Sequence, residues 1–223
     1  MATAKVIKLT CGILFNHSFS VLDHWGKIAD SILYKNSFFD PEYFPRISDQ
    51  YTINRYVENP ELGHRLQLNS ENLIYTHTIQ DNFEKEYAQF VERVVKFIIP
   101  EIIEKHDLVV RRIGMVYICE MDQDAVTKFT SQYFKPELSE VLDCRFSKRC
   151  TVPQALTFSG TNDYINKIYS VGNVSKESRG ISFDYQLFFN PPIVNVKPRV
   201  AKFFENSKTA FFEEIYKEEY RGK

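Results

Sequence analysis

The first half of the chain contains stretches with strand periodicity and stretches with helical periodicity. Apolar residues alternate loosely along residues 4–16, which predicts a strand. Ser20 precedes apolar residues at helical spacing and is predicted to cap a helix. Asp81 is predicted to cap a second, strongly amphipathic helix, which Pro100 either ends or extends by a final turn. Three short strands are predicted between these helices, at residues 51–58, 64–69 and 72–78.

The second half has a similar order of elements. Residues 108–120 have the pattern of a strand, and Asp122 is predicted to open a helix. A last helix carries Phe204, Phe211 and Ile215 on one face. The remaining predicted elements are a short helical piece at residues 136–144 and three strands at residues 151–158, 164–172 and 181–189.

Both halves therefore have the predicted order β-α-β-β-β-α. We predict an α+β fold made of two related halves, residues 1–106 and 107–223, with an antiparallel sheet or sheets and helices packed on one face. Gly12 and Gly114 support this prediction, since each precedes three apolar residues in the opening strand of its half. The pattern does not distinguish two intimately packed domains from one domain with a continuous sheet.

The composition is that of a globular protein rich in aromatic residues. The chain has 223 residues with 19 Phe and 13 Tyr, which predicts an aromatic core or an adhesive surface. The formal net charge of -1 gives no global attraction to nucleic acid, so a basic patch would have to be local. No apolar run is long enough to span a membrane, and the first residues lack the core of a signal peptide. We therefore expect a cytoplasmic protein with reduced cysteines and no membrane contact.

The middle of the chain carries a family resemblance. A polar strand hairpin at residues 64–76 and an aromatic helix precede the strand Arg112-Ile113-Gly114-Met115-Val116-Tyr117-Ile118. This order resembles a sporadically distributed family of uncharacterised prokaryotic proteins with an Arg-Ile-Gly-Leu-Arg-Tyr-Ile-Asn-like strand. Val116 and Cys119 stand where that family has its second Arg and its final Asn. The family's scattered occurrence implies a mobile or defence-type gene neighbourhood, and the resemblance implies no catalytic residue.

The sequence lacks the spacings that usually mark a catalytic or metal site. The histidines and cysteines show neither zinc-ligand spacing nor a His-Glu-x-x-His pattern, and we expect the histidines to be surface or capping residues. Cys144 and Cys150 flank a cationic segment that would lower a thiol pKa. No nucleophile elbow or phosphate-binding glycine loop occurs. We expect no catalytic residue, no metal and no cofactor, which favours a binding role over enzymatic activity.

Basic residues near the strand beginnings of the second half suggest contact with nucleic acid. They are Arg111, Arg112, Arg145, Lys148, Arg149 and Arg179. Tyr133, Phe134 and Phe146 stand near them, and basic residues combined with aromatic ones are typical of single-stranded nucleic-acid binding. The alternative is that these cations pair with neighbouring carboxylates, as the near-zero net charge allows.

Aromatic residues beside prolines suggest a protein partner. They are Phe38, Phe39, Tyr43 and Phe44 in one predicted loop, and Phe188 and Phe189 before another proline break. Such residues either plug the core of the domain or contact a partner. Our leading prediction is a non-enzymatic binding or assembly subunit of the defence or mobile gene system that the resemblance implies, acting through protein partners or as a homo-oligomer. Binding of RNA or single-stranded DNA through a basic face of the second half is the alternative.

Overall fold

The fold is α+β, as predicted, and is built on one antiparallel sheet. The computed structural model describes residues 4–35, 46–47, 53–133, 143–157, 161–174 and 178–217. The strands of the sheet are β1 (Ala4–Phe15), β2 (Arg46–Ile47), β3 (Arg55–Asn59), β4 (His64–Leu68), β5 (Asn72–Thr78), β6 (Val110–Met121), β7 (Cys144–Thr151), β8 (Tyr164–Asn173) and β9 (Arg179–Ile193).

Helices occupy the connections between these strands. The α-helices are α1 (Ser20–Asp23), α2 (Trp25–Asp30), α3 (Phe83–Arg93), α4 (Gln123–Ser131) and α5 (Lys197–Glu214). Helix α2 continues as a π-helix over Ser31–Lys35, and α3 continues as a π-helix over Val94–Glu104. Pro100 lies inside the second π-helix, so the helix passes through the proline. Hydrogen bonds in a π turn span one residue more than in an α turn, which accommodates a residue without an N–H group.

The two halves of the chain share the sheet. The strand order is β2-β3-β4-β5-β1-β6-β9-β8-β7, with antiparallel pairing throughout. Because β1 pairs with β6, the sheet and the hydrophobic core behind it are continuous across the predicted boundary at residue 106. Gly12 lies directly opposite Gly114 in this pair. Each half contributes a contiguous block of strands, and the relatedness of the two halves stays a prediction.

An aromatic core holds the helices against one face of the sheet. Tyr117 of β6 stacks on Phe211 of α5, with ring centroids 4.3 Å apart and planes inclined by 7°. The Tyr117 hydroxyl hydrogen-bonds to Ser207 Oγ at 2.9 Å and donates to the Tyr87 hydroxyl at 3.3 Å. The Tyr87 hydroxyl in turn donates to the Phe204 carbonyl at 2.9 Å. Helices α3 and α5 are therefore fixed to the centre of the sheet by packing and by satisfied buried hydroxyl groups.

One strand of the second half lies elsewhere than predicted. The prediction of a strand over residues 151–158 is wrong: the strand is β7, and Gln154–Leu156 forms a 3₁₀ helix. Strand β7 is at the edge of the sheet and has exposed side chains on both faces, so its polar sequence shows no clear alternation. The predicted helical piece at residues 136–144 runs into β7, and its residues 136–142 lie outside the described residues.

The predicted helix caps are correct in one case and wrong in two. The Asp122 side chain accepts a hydrogen bond from a first-turn N–H group of α4 at 2.8 Å, as predicted. Helix α3 is capped by Asn82, whose side chain accepts from a backbone N–H group at 3.0 Å, and not by Asp81. Ser20 is the first residue of α1 and makes no capping hydrogen bond. Where two neighbouring residues are both good caps, the sequence pattern alone does not fix the helix start to one position.

Two histidines are buried, which contradicts the prediction of surface or capping roles. His64 of β4 and His77 of β5 stack with ring centroids 3.9 Å apart. Arg93 of α3 donates to the Tyr75 hydroxyl at 3.0 Å, and its Nη1 lies 3.3 Å from His64 Nδ1 and 3.4 Å from His77 Nδ1. On its other side, His77 Nε2 lies 3.0 Å from Glu86 Oε2. Sequence spacing missed this cluster because its members come from three separate elements.

The histidine rings are held in their neutral form. Burial, followed by the charges of His77 and Arg93, lowers the pKa of His64 to about 3. Burial, followed by the charge of Arg93, lowers the pKa of His77 to about 4. Both rings are therefore neutral near pH 7, where the cluster carries only the charges of its arginine and carboxylate.

The Asn82 cap gives a first test of the fold. Replacing Asn82 with Ala is expected to lower the free energy of unfolding by about 1 kcal/mol, because α3 loses a capping acceptor. Asp81→Ala is the matched control, and it is expected to have a much smaller effect because the Asp81 side chain does not cap the helix. Urea denaturation measures both variants. A larger loss for Asp81→Ala than for Asn82→Ala would show that the cap is assigned to the wrong residue.

The buried histidines give a second test. Stability is expected to fall as the pH is lowered from about 6.5 towards about 4, because histidine in the unfolded chain has a pKa of about 6.5, whereas the folded values are about 3 and about 4. The unfolded state binds more protons in this range, at a cost approaching about 1.4 kcal/mol per pH unit for each histidine. Urea denaturation across this range should show a flatter pH dependence for His77→Gln. The exposed-residue control His17→Gln should match the wild type, and equal slopes in all three proteins would refute the assignment.

Candidate functional site

The side of the sheet opposite the helices forms a mixed polar and aromatic surface, which we call the open face. It consists of the even-numbered side chains of β5, β8 and β9, those of β1 from Lys8 onward and those of β6 from Arg112 onward, and the odd-numbered side chains of β4 and β7. Most of these side chains are exposed or half-buried, whereas those of the opposite parity form the core. An antiparallel sheet covered on one side leaves its other side available to solvent or to a ligand.

Four side chains on the open face of the second half form a continuous row, which we call the arginine–aromatic stack. The Arg149 guanidinium lies over the Tyr164 ring, 4.1 Å from its centroid. Tyr164 stacks on Phe188 with centroids 4.7 Å apart and planes inclined by 9°. The Arg112 guanidinium lies over the Phe188 ring, 5.6 Å from its centroid. The row follows from the register, because Tyr164, Phe188 and Arg112 are direct partners across β8, β9 and β6.

The stack fixes the positions of two cations. Each ring has a neighbour on both faces, so the rings serve mainly to orient the guanidinium groups at the two ends. Cation–π contacts of this kind contribute about 0.5–1 kcal/mol each at exposed sites. A planar guanidinium keeps several N–H donors available when one of its faces is stacked, which suits it to bind phosphate or to stack on a base.

The structure divides the six predicted basic residues between the two faces of the sheet. Arg112, Arg145 and Arg149 lie on the open face. Lys148 lies on the helix side, where its Nζ is 3.0 Å from Glu214 Oε2. Arg179 also lies on the helix side, 3.4 Å from Gln123 Oε1 of α4.

The remaining basic residue, Arg111, lies at an irregularity in β6. It is exposed and stands at the register shift between Val110 and Arg112. The sequence clusters are thus split by the alternation of side chains along a strand, since adjacent residues such as Lys148 and Arg149 point to opposite faces. Pairing with a carboxylate, the alternative interpretation, holds for Lys148.

The aromatic residues predicted to bind a partner are also separated. Phe188 belongs to the arginine–aromatic stack, whereas Phe189 is buried on the helix side beneath Arg199. The loop aromatics lie outside the described residues; they are Phe38, Phe39, Tyr43 and Phe44. Among the aromatics placed near the basic clusters by sequence, Phe134 likewise lies outside the described residues.

Sequence reasoning missed the aromatic residue that matters most on the open face. Tyr133 and Phe146 contact each other on the helix side, with centroids 4.7 Å apart, and do not join the stack. Tyr164 does join it, although it is not near the basic clusters in sequence. The alternation of side chains in β8 could have identified Tyr164. Tyr164 and Tyr169 are an odd number of residues apart in this strand, so their side chains lie on opposite faces of the sheet.

A small cavity at the centre of the open face, which we call the glycine pocket, adjoins the stack. It measures about 170 Å³ and is lined by Thr10, Gly12, Asn72, Ile74, Arg112, Gly114, Val116, Asp184 and Gln186. Its floor is the paired backbone of Gly12 and Gly114. A Cβ atom added to Gly12 would meet nothing within 4 Å, which shows that the space above this strand is open. Glycine in a strand interior often marks a place where a ligand approaches the backbone closely.

A carboxylate and an arginine face each other across this pocket. The pKa of Asp184 is raised, because the effect of burial outweighs the hydrogen bond from Gln186 and the charges of Arg112 and Arg145, which act in the opposite direction. Gln186 Nε2 donates to Asp184 Oδ2 at 2.5 Å. Arg112 Nε is buried and has no hydrogen-bond partner among the described residues. The pocket therefore offers oriented acceptors on one side and a guanidinium on the other.

Other types of site have less support in the structure. Within the described residues, no group of three or more His, Cys, Asp or Glu side chains is arranged to hold a metal ion. Burial raises the pKa of Cys144 despite the nearby cations, which disfavours a reactive thiolate at this position. The helices of the described residues include none with the length and apolar character needed to cross a membrane.

Comparison with known proteins finds distant similarity among solved structures. No family model and no curated protein matches the chain. Among solved structures, a rolling circle replication initiator protein from Geobacillus stearothermophilus is similar over 92% of this chain and 80% of that chain. The sequence identity is 11% and the TM-score is 0.31. At this TM-score the similarity carries no argument about the fold or the function of this chain.

Proposed function

We propose that the protein binds single-stranded nucleic acid across the open face of its second half. The observation that supports this proposal is the arginine–aromatic stack, which holds two guanidinium groups on the helix-free side of the sheet. Arg145 adds a third cation on the same face. Arginine groups that are already oriented lose less entropy on binding phosphate than free side chains do.

The local charge of the open face is compatible with this proposal despite the net charge of -1. The ion pairs found within the described residues do not include Arg112, Arg145 or Arg149. Asp184 is the carboxylate close to Arg112 and Arg145 and offsets part of their charge. The cations of the open face therefore remain available to phosphate groups.

A single strand suits this surface better than a duplex does. Bases of a single strand are exposed and can stack on guanidinium planes or enter small pockets, whereas the bases of a duplex are stacked and paired. The open face provides both features side by side, in the stack and in the glycine pocket. RNA and single-stranded DNA share the phosphates and base faces on which this argument depends.

The wider role of the protein is a further part of the proposal. The strand Arg112-Ile113-Gly114-Met115-Val116-Tyr117-Ile118 carries the family resemblance, and on that basis we place the protein as a non-enzymatic subunit in a prokaryotic defence or mobile gene system. Contact with protein partners, or with a second copy of the chain, is the second candidate function. It is supported by Ile47 in the edge strand β2 and Ile53 two residues before β3, which are 48% and 76% exposed.

Arginine substitutions on the open face test nucleic-acid binding. Arg112→Ala combined with Arg149→Ala is expected to weaken binding to poly(dT) and poly(U) oligonucleotides, measured by fluorescence anisotropy over a range of salt concentrations. The slope of log affinity against log salt concentration should decrease by about 0.7 for each phosphate that the double variant no longer neutralises.

Arg149→Ala alone has a matched control in Lys148→Ala, which removes one positive charge from the neighbouring residue but on the helix side. Lys148→Ala should keep the salt dependence of the wild-type protein. Equal reductions of affinity in both variants would show a non-specific charge effect. An unchanged affinity in the double variant would refute binding through the stack.

The partner hypothesis predicts a different result. If protein contact is the main role, the chain should form a stable complex with the product of a neighbouring gene, or a dimer, in size-exclusion chromatography with light scattering. Ile53→Asp should disrupt that complex, because it places a charge on an exposed apolar position at the interface. A strictly monomeric chain that captures none of these products would contradict the hypothesis.

A further inference from the structure

We propose that the glycine pocket binds one guanine base of the single strand that crosses the open face. This inference rests on the proposed function and adds a base preference to it. It depends on three features of the pocket, which are its open floor, its acceptor groups and its connection to the arginine–aromatic stack.

The floor of the pocket admits a flat ring. Gly12 and Gly114 are opposite each other in neighbouring strands, so two adjacent open-face positions have no side chain. Ile74 and Gln186 stand at the two ends of this row, as the partners of Gly12 in β5 and of Gly114 in β9. The pocket is therefore a slot between the Ile74 and Gln186 side chains, and its floor is formed by peptide groups. A flat nucleobase matches this shape.

The acceptor groups in the pocket select among the bases. The Cβ position of Gly114 lies 3.6 Å from Asp184 Oδ1 and 3.6 Å from Gln186 Cγ, so these two side chains cover Gly114 and border the open space above Gly12. The other oxygen, Oδ2, is held by Gln186 Nε2 at 2.5 Å. Each carboxylate oxygen has two lone pairs, so Oδ2 can accept a second hydrogen bond beside the one from Gln186, and the carboxylate can then accept two parallel hydrogen bonds from a ligand. Guanine is the base that presents two adjacent donors, N1–H and the N2 amino group, on its Watson–Crick edge.

The remaining bases fit this carboxylate less well. Adenine and cytosine each place a ring-nitrogen acceptor beside the amino donor, and this acceptor would face the carboxylate and be repelled by it. Uracil and thymine place carbonyl acceptors on both sides of their single N–H donor. A buried polar group left unpaired costs free energy, so the pocket discriminates against these bases as well as favouring guanine.

Arg112 connects the pocket to the stack. Its guanidinium lies over Phe188 and also lines the pocket. Its Nε, which is buried without a partner among the described residues, is available to a ligand that enters. A strand can therefore place a phosphate on the guanidinium of Arg112 and the attached base in the pocket, while the neighbouring phosphate group continues toward Arg149.

The charge of the pocket favours a base over a free anion. Asp184 repels phosphate inside the pocket, and Arg112 attracts it at the rim on the side of the stack. The same guanine edge is present in a free guanine nucleotide. A guanine within a strand is expected to bind more tightly than a free guanine nucleotide, because the strand also places phosphate groups along the arginine–aromatic stack.

The experiment measures base preference rather than binding alone. Poly(dT) oligonucleotides that carry one central dG, dA or dC are titrated by anisotropy against the wild-type protein, Gly12→Leu, Asp184→Asn and Lys148→Ala, with GMP as a competitor. The wild type is expected to bind the dG oligonucleotide about tenfold more tightly than the dA oligonucleotide, a typical discrimination for a bidentate base contact. Gly12→Leu and Asp184→Asn should reduce this ratio to about one. Lys148→Ala, on the other face, should keep it.

The outcomes separate this inference from the proposed function. If the wild type binds the oligonucleotides equally well, or prefers dA or dC, the proposed nucleic-acid binding stands but the proposal that the pocket binds guanine is refuted. If neither these oligonucleotides nor poly(U) binds, the proposed function itself fails. If GMP competes at the same concentration as the dG oligonucleotide, the strand is not the source of the base and the inference is overturned. Thermal unfolding followed by circular dichroism establishes that Gly12→Leu and Asp184→Asn are folded before their ratios are interpreted.

Discussion

The antiparallel pairing of β1 with β6 is the contact on which the rest of this structure depends. It joins the strands of the two halves into one sheet and sets Gly12 opposite Gly114 at its centre. Side chains alternate between the faces of a sheet wherever the pairing is regular, so this register also decides which residues meet the helices and which remain on the open face. A slip of one residue would exchange the two sets and bury Arg112 in place of Tyr117.

The buried face provides the rigidity that the open face needs. Tyr117 is anchored to α3 and α5 by ring stacking and by hydroxyl hydrogen bonds, and it stands on the same strand as Arg112 and Gly114. Because β6 is packed against the helices on one face of the sheet, its side chains on the open face are held in fixed positions. In the first half, a second cluster pairs His77 with Glu86 and Arg93 with the Tyr75 hydroxyl, while His64 Nε2 is buried with no hydrogen-bond partner among the described residues.

Basic residues that are neighbours in the sequence lie on different faces of the sheet. Arg149 is exposed on the open face and stacked on Tyr164, whereas Lys148 beside it lies on the helix side with Glu214. The chain as a whole has almost no net charge, and yet one face of its second half gathers three arginines. A local cationic surface of this kind attracts phosphate at short range, within the screening length of physiological salt.

The periodic elements could be predicted well from the sequence, and the failures have identifiable causes. The strands β1, β5 and β6 and the helix α5 pack one apolar side each and show clear alternation or helical spacing. Strand β7 was misplaced because an edge strand with exposed side chains on both faces has no such pattern. The sequence shows which segments are basic. It does not show which basic residues share a face of the sheet, because that depends on where β7 begins and how it pairs with β8.

The sequence by itself determined the α+β class, the order of most elements and the aromatic character of the core, because local periodicity and composition are properties of short segments. Only the tertiary structure decided that Arg149, Tyr164, Phe188 and Arg112 form one row, that the histidines of β4 and β5 are buried together, and that two glycines create a pocket. These features join residues from different strands, and their contacts depend on strand order and register. The physical reason is that pairing between distant strands is set by the whole hydrophobic core and is not encoded in any one segment.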